Sequence, residues 1–96
     1  SYDKKTIQKK WKENTSKHML DFKKRLDDLS VFSSNNIEEE FKLFLEDNDL
    51  KMGSFLPVFR VSLTGIPMGP SLFNIAALLG KEKTIKRLEK ALKMIK

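Results

Sequence analysis

The 96-residue sequence has no cysteine and a single histidine, His18. The first absence excludes disulfides, thiolate metal sites and a cysteine nucleophile. The second excludes any multi-histidine metal site. No apolar run approaches the roughly 20 residues that a membrane span needs, and no secretory signal opens the chain. A Gly-rich phosphate loop, a histidine pair and a serine flanked as in a nucleophile elbow are all missing, so no catalytic constellation can be assembled. Asp27-Asp28 and Glu38–Glu40 are acidic but lack the rhythm of metal ligands, and they read as charged helix faces. Finally, no carboxylate at all lies between Asp49 and Glu82.

What is present suits one small soluble domain spanning 1–96: 40% hydrophobic and 33% charged residues, in a chain too short for a two-domain enzyme with a cofactor fold. Because it starts at Ser1 without an initiator Met, the chain reads as a piece of something longer. The net charge of +6 is unevenly spread. Residues 1–25 carry nine Lys/Arg and three acids, and residues 26–50 one Lys and eight acids. Residues 51–80 carry two bases and no acid, and residues 81–96 seven bases and two acids. A phosphate backbone could approach the acid-free stretch without meeting like charge. Equally, the Lys-rich segments could be no more than solvated helix faces.

Apolar spacing predicts helices throughout. Lys4–Trp11 is a short basic stretch of one or two turns. From Asn14 to Ser30, Met19, Phe22, Leu26 and Leu29 recur at three- and four-residue intervals on one face, with Asn14, Thr15 and Ser16 as candidate caps. Ser33–Asn36 makes the next turn and cap. Glu38, Glu39 and Glu40 follow, where negative charge suits a helix N-terminus, and Ile37, Phe41, Phe44 and Leu45 form a second stripe ending near Asn48. Ser54–Leu63 is apolar nearly all round. It is read as a buried helix rather than a strand, capped by Ser54, with Pro57 in its first turn and Gly65 closing it. Thr64–Pro70 holds two Gly and two Pro and forms a rigid loop. Ser71–Leu79 is a second all-round apolar helix. Lys81–Ile95 is a basic amphipathic one with Ile85, Leu88, Leu92 and Ile95 in its stripe. The expected fold is all-α, a compact bundle or cage of about five to six helices, with the two apolar helices wrapped by amphipathic ones.

Three features stand apart. Arg60 is the only charged residue between Lys51 and Lys81. It reads either as half of a buried pair with an acid of residues 26–50 or as a guanidinium presented to a phosphate or base edge. Gly69-Pro70-Ser71-Leu72-Phe73 delivers two large apolar residues into the first turn of a helix. The unsatisfied N–H groups there attract oxygens, and an exposed Phe could stack a splayed base. Leu72 and Phe73 could also be ordinary core residues. Trp11, among Lys9, Lys10 and Lys12, either stacks a base or anchors the N-terminal segment. His18 reads as polar decoration or a capping contact.

Several segments together carry a resemblance: Phe59-Arg60-Val61-Ser62-Leu63-Thr64-Gly65, Gly69-Pro70 with Leu72-Phe73, Leu78-Leu79-Gly80-Lys81-Glu82 and Arg87-Leu88, preceded by Tyr2-Asp3 and Lys9-Lys10-Trp11. In this order and spacing the chain resembles the C-terminal anticodon-binding domain of bacterial-type glutamyl-tRNA synthetases, class I aminoacyl-tRNA synthetases. The resemblance covers nearly the whole chain. It implies an all-helical, cytoplasmic module that recognises anticodon bases of glutamate tRNA, with glutamine tRNA left open as a second partner. The catalytic domain would lie elsewhere in the parent and would use ATP and Mg. The two ATP signatures of the family are absent: Lys51-Met52-Gly53-Ser54 lacks the second lysine of one of them. This chain by itself is therefore expected to have no catalytic residue, metal or cofactor. The residues that face RNA by position in the family's motif are Arg60, Gly69, Pro70, Leu72 and Phe73. Ser62 stands where alanine is common, and Ile66, Pro67 and Met68 make the loop unusually apolar. The competing expectations are a helical protein-interaction domain and a non-specific basic nucleic-acid binder.

Overall fold

Asp3 opens the first helix. Its carboxylate accepts from the Thr6 N–H at 3.0 Å and the Thr6 hydroxyl at 2.7 Å, which starts α1 (Lys4–Lys10). This is the beginning of a computed structural model that describes residues 2–95, and six helices are present among them, with no strand. The all-α expectation holds.

The chain leaves α1 through Trp11. The indole of Trp11 is half-buried against the core and donates to the Ser16 hydroxyl at 3.2 Å, so Trp11 anchors the N-terminal segment. Of the three caps expected for α2 (Thr15–Asp27), Asn14 holds the cap position without a side-chain bond. Thr15 instead accepts from the Lys12 N–H at 2.7 Å and tightens the preceding turn. Ser33 caps α3 (Ser34–Asp47) by accepting from Asn36 N–H at 3.1 Å. The Asn48 amide closes α3 on the Phe44 carbonyl at 2.9 Å.

α4 (Met52–Thr64) begins two residues earlier than expected. The cap is a backbone group: the Lys51 carbonyl accepts from Ser54 N–H at 2.9 Å and Phe55 N–H at 3.3 Å. Ser54 is therefore inside the helix, and Pro57 sits in its second turn rather than its first. The missing proline N–H deprives the Gly53 carbonyl of its helical donor. Gly53 itself is exposed to solvent. α5 (Leu72–Leu79) and α6 (Lys81–Met94) complete the chain.

The core is aromatic. The ring of Phe22 from α2 meets Phe41 and Phe44 of α3 at 5.5 and 5.2 Å, and Phe55 and Phe59 of α4 at 5.7 and 4.9 Å. Such tilted and edge-on pairs add about 0.5–1.5 kcal/mol each beyond the area they bury. α4 runs through the middle, packed against α1 and α6. α2 packs on α3 and α6, and α5 on α3 and α6.

Two expectations about burial need correction. α5 is not enclosed. Only Leu72 and Ala76 are buried, while Leu78 is 89% exposed, because α5 rests on its neighbours by one face. On α6 the buried line is Thr84, Leu88, Ala91 and Ile95, with Ile85 and Leu92 at its margin. Small Ala91 lets the helix approach closely. Thr84 is accommodated because its hydroxyl donates to the Ala76 carbonyl at 3.2 Å.

Charged side chains tie the outside together. Arg25 reaches Glu40 at 3.0 Å and Asp47 at 2.6 Å and lies 5.4 Å from the Phe44 ring centre. Its pKa is raised above the ordinary arginine value chiefly by the Asp47 hydrogen bond. Lys23 joins α2 to Glu89 of α6 at 3.1 Å. Among the described residues, no helix is long and apolar enough to cross a membrane.

Candidate nucleic-acid interface

The acid-free stretch forms the end of α4, a loop and the start of α5. Gly65 stops α4 in the left-handed conformation, with φ of 82° and its N–H on the Val61 carbonyl at 2.8 Å. The neighbouring carbonyls also find donors. The Thr64 hydroxyl donates to the Arg60 carbonyl at 2.9 Å, and Arg87 Nη1 of α6 donates to the Leu63 carbonyl at 3.0 Å. The Asp3 N–H donates to the Gly65 carbonyl at 2.9 Å.

Arg60 leaves this last turn sideways. Its side chain is half-buried, and Nη1 donates to the Pro70 carbonyl at 3.0 Å. Among the described residues no carboxylate pairs with it, so the buried pair with an acid of residues 26–50 is not formed. The guanidinium instead clamps the loop across ten residues of chain. Gly69 makes that clamp fit. Its φ is +156°, and a Cβ there would sit 3.2 Å from Arg60 Nη1. Arg60, Gly69 and Pro70 thus come together at the surface. The rest of the loop is exposed and apolar, with Ile66 at 56% and Met68 at 76% exposure.

Ser71 then caps α5, accepting from Asn74 N–H at 3.4 Å. The N–H groups of Leu72 and Phe73 lie in the first turn, where a helix supplies no acceptor. The two side chains differ. Leu72 is 1% exposed and belongs to the core, leaving only its backbone for an outside contact. Phe73 is half-buried, its ring 5.4 Å from Phe41, so one part of it packs inward and the remainder faces out.

Two cations that sequence reasoning grouped with the Lys-rich face of α6 have specific places. Arg87 ends α4 as described. Lys81 Nζ donates to the Asp27 carbonyl at 2.7 Å and to the Leu29 carbonyl, covering the C-terminus of α2. No sequence signal marks either partner, because a backbone carbonyl looks the same at every position. Lys83, Lys90 and Lys93 are exposed.

The fold and sequence have relatives among known proteins. Residues 1–92 match the family model described as an anticodon binding domain. The glutamate–tRNA ligase of Phocaeicola vulgatus is 38% identical over 95 residues, covering 99% of this chain and 19% of the ligase. That of Flavobacterium johnsoniae is 41% identical over 92 residues, covering 96% of this chain and 18% of the ligase. Among solved structures, the crystal structure of a glutamate tRNA ligase from Elizabethkingia meningosepticum in complex with its amino acid superposes with a TM-score of 0.93. It is 31% identical and covers 100% of this chain and 19% of that one. The chain thus spans about a fifth of the length of the relatives it matches. These likenesses favour neither a general protein-interaction module nor a non-specific basic nucleic-acid binder. With residues 1–92 under one family model and the same helices in a solved ligase, this chain belongs to the anticodon binding domain family.

Proposed function

We propose that the chain is the anticodon-reading module of a glutamate–tRNA ligase and that it meets the anticodon loop through Arg60, Gly69, Pro70 and Phe73, with Leu72 anchoring the turn from below. The observation that carries this reading is the Arg60–Pro70 clamp over Gly69. It fixes a guanidinium beside an exposed loop in a stretch without a carboxylate. Arg60 Nη1 holds the Pro70 carbonyl, and the remaining N–H groups of its fork offer planar donors to a base edge or phosphate. The first-turn N–H groups of Leu72 and Phe73 offer two more donors. Phe73 and the Ile66–Met68 loop supply apolar surface for unstacked bases, the form in which single-stranded loops are read.

In this reading the reaction itself, ATP-dependent attachment of glutamate to tRNA in the cytoplasm, belongs to the remainder of the parent. ATP and magnesium would be held there. No residue of this chain is assigned to them, and among the described residues no three His, Asp or Glu side chains converge for a metal.

The test is a polarisation titration of this chain with a labelled anticodon stem-loop of glutamate tRNA, beside a copy altered at the second and third anticodon bases. A glutamine anticodon serves as a further arm. A preference for the glutamate sequence is expected. Arg60→Ala should remove about 1–3 kcal/mol of binding and shrink the preference, while circular dichroism shows the helices intact. Equal binding of native and altered loops would refute base reading by this module.

A further inference from the structure

We propose that the hollow between the end of α4 and α6 is an oxyanion subsite that takes a backbone phosphate of the bound RNA, a proposal that rests on the RNA-binding reading above. The hollow has a volume of about 420 Å³ and is lined by Tyr2, Ser62, Thr64, Arg87 and Lys90, among others. It holds two cations and no carboxylate. The acids nearest in sequence are engaged elsewhere: Glu89 with Lys23, Glu82 with Lys86, and the Asp3 carboxylate with Thr6.

A helix C-terminus ordinarily repels anions through its open carbonyls. Here three of those carbonyls are occupied. Leu63 oxygen holds Arg87 Nη1, Gly65 oxygen holds the Asp3 N–H, and Val61 oxygen holds the Gly65 N–H. The bond to Leu63 uses one donor of Arg87 and fixes the plane of its fork, which has four N–H groups besides. Lys90 follows three residues later on the same helical face, exposed to solvent. Ser62 also lines the hollow, but its hydroxyl is buried beneath the surface, with no hydrogen-bond partner among the described residues. A guanidinium fixed by the Leu63 carbonyl and an exposed ammonium beside it are donors suited to a phosphodiester oxygen.

The hollow is joined to the clamp through Thr64. Thr64 lines the hollow, and its hydroxyl holds the Arg60 carbonyl. The clamp and the hollow therefore both draw on the last turn of α4. This subsite would add affinity without reading sequence.

The experiment titrates this chain with the glutamate anticodon stem-loop and its base-altered copy across a salt series, using wild type, Lys90→Gln and Lys90→Arg. Arg87 is left in place because it also ends α4. Lys90→Gln should weaken both RNAs by the same factor, about three- to tenfold at low salt, and reduce the log–log salt slope by roughly 0.7. The preference between the two RNAs should not change, and Lys90→Arg should retain wild-type behaviour. The Arg87 side-chain N–H resonance should shift on adding RNA. If wild type binds with base preference while Lys90→Gln keeps its affinity and slope, the subsite is refuted and the base-reading clamp stands. If wild type binds neither RNA, both readings fall. If polyglutamate, and not RNA, moves the Arg87 resonance, the hollow is a seat for an acidic protein segment and the phosphate assignment is overturned.

Discussion

Gly69→Ala is the sharpest probe of the clamp, because the structure assigns it two separable costs. The first is conformational. At φ of +156° an L side chain is strained, a penalty of about 1–3 kcal/mol for a rigid site. Gly69 is exposed, so the loop can relax and the lower end applies, about 1 kcal/mol. The second is contact. The new Cβ would stand 3.2 Å from Arg60 Nη1, which now lies 3.0 Å from the Pro70 carbonyl. The guanidinium must retreat by a few tenths of an ångström and weaken that bond. A buried charged hydrogen bond contributes about 1.5–3 kcal/mol, but water replaces much of it around a half-buried side chain, leaving roughly 0.5–1 kcal/mol. The combined cost is about 1.5–2 kcal/mol, or a fall in Tm of roughly 10 °C for a domain of this size. Thermal unfolding followed by circular dichroism reads the total. A cycle with Arg60→Ala separates the parts, because without the guanidinium only the conformational strain remains. The coupling should be about 0.5–1 kcal/mol. Strictly additive costs would mean that Gly69 and Arg60 do not meet, and an unchanged Tm would dispose of the strain as well.

Three further outcomes follow from groups elsewhere in the fold. Hydrogen bonds from the Thr6 hydroxyl and N–H hold the Asp3 pKa below its ordinary 3.8. The stability this lends is fully present above about pH 3.8 and is lost as pH falls through the lowered value. Asp3→Asn should therefore flatten the acid limb of a stability–pH profile, and an unaltered limb would contradict the cap. Ser62→Ala removes a buried hydroxyl that has no partner among the described residues, so urea unfolding should show about 1 kcal/mol of added stability; a loss would mean the hydroxyl is bonded. Arg87→Met strips the donor from the Leu63 carbonyl and should cost about 1–2 kcal/mol, an effect that a mere surface lysine-like charge would not show on chemical denaturation.

Helix positions were legible wherever apolar spacing was strict. The stripe Ile37, Phe41, Phe44, Leu45 is buried throughout α3, and Met19, Phe22 and Leu26 are buried on α2. The start of α4 is not marked by a capping side chain: Ser54 lies inside the helix, and the Lys51 backbone supplies the cap. The environment of α5 is not legible in its sequence because an unbroken apolar run does not tell how many of its sides will be covered; Leu78 is among the exposed large hydrophobic residues. On α6 the size of Ala91 and the satisfied hydroxyl of Thr84 decided the buried line, and hydrophobicity alone ranks both below Ile85 and Leu92. At the candidate site, Arg60 was conspicuous as a lone charge, and the glycine and proline before Ser71 were conspicuous as punctuation. That Arg60 bonds the Pro70 carbonyl was not readable, since the acceptor is backbone. Arg87 and Lys81 were hidden among other basic residues for the same reason.

The end of α4 explains why such a small domain can present a defined surface. A helix normally leaves its last four carbonyls to water. Here the Gly65 N–H, Arg87 from α6 and the Asp3 N–H at the start of α1 occupy the carbonyls of Val61, Leu63 and Gly65, and the Thr64 hydroxyl donates to the Arg60 carbonyl one turn back. The loop thus departs from a turn fastened to both ends of the chain. Arg60 fastens it again at Pro70, and Ser71 fastens it at the start of α5. Ordering one residue costs about 1–2 kcal/mol, so a loop left free until it met a ligand would consume most of the binding energy that a few base contacts can supply. Fastened at three points, it makes that expenditure during folding, where the aromatic core around Phe22 offsets it. The apolar residues Ile66 and Met68 can then remain exposed on a framed loop, and Arg60, which ties the loop in place, keeps donors to spare beside it.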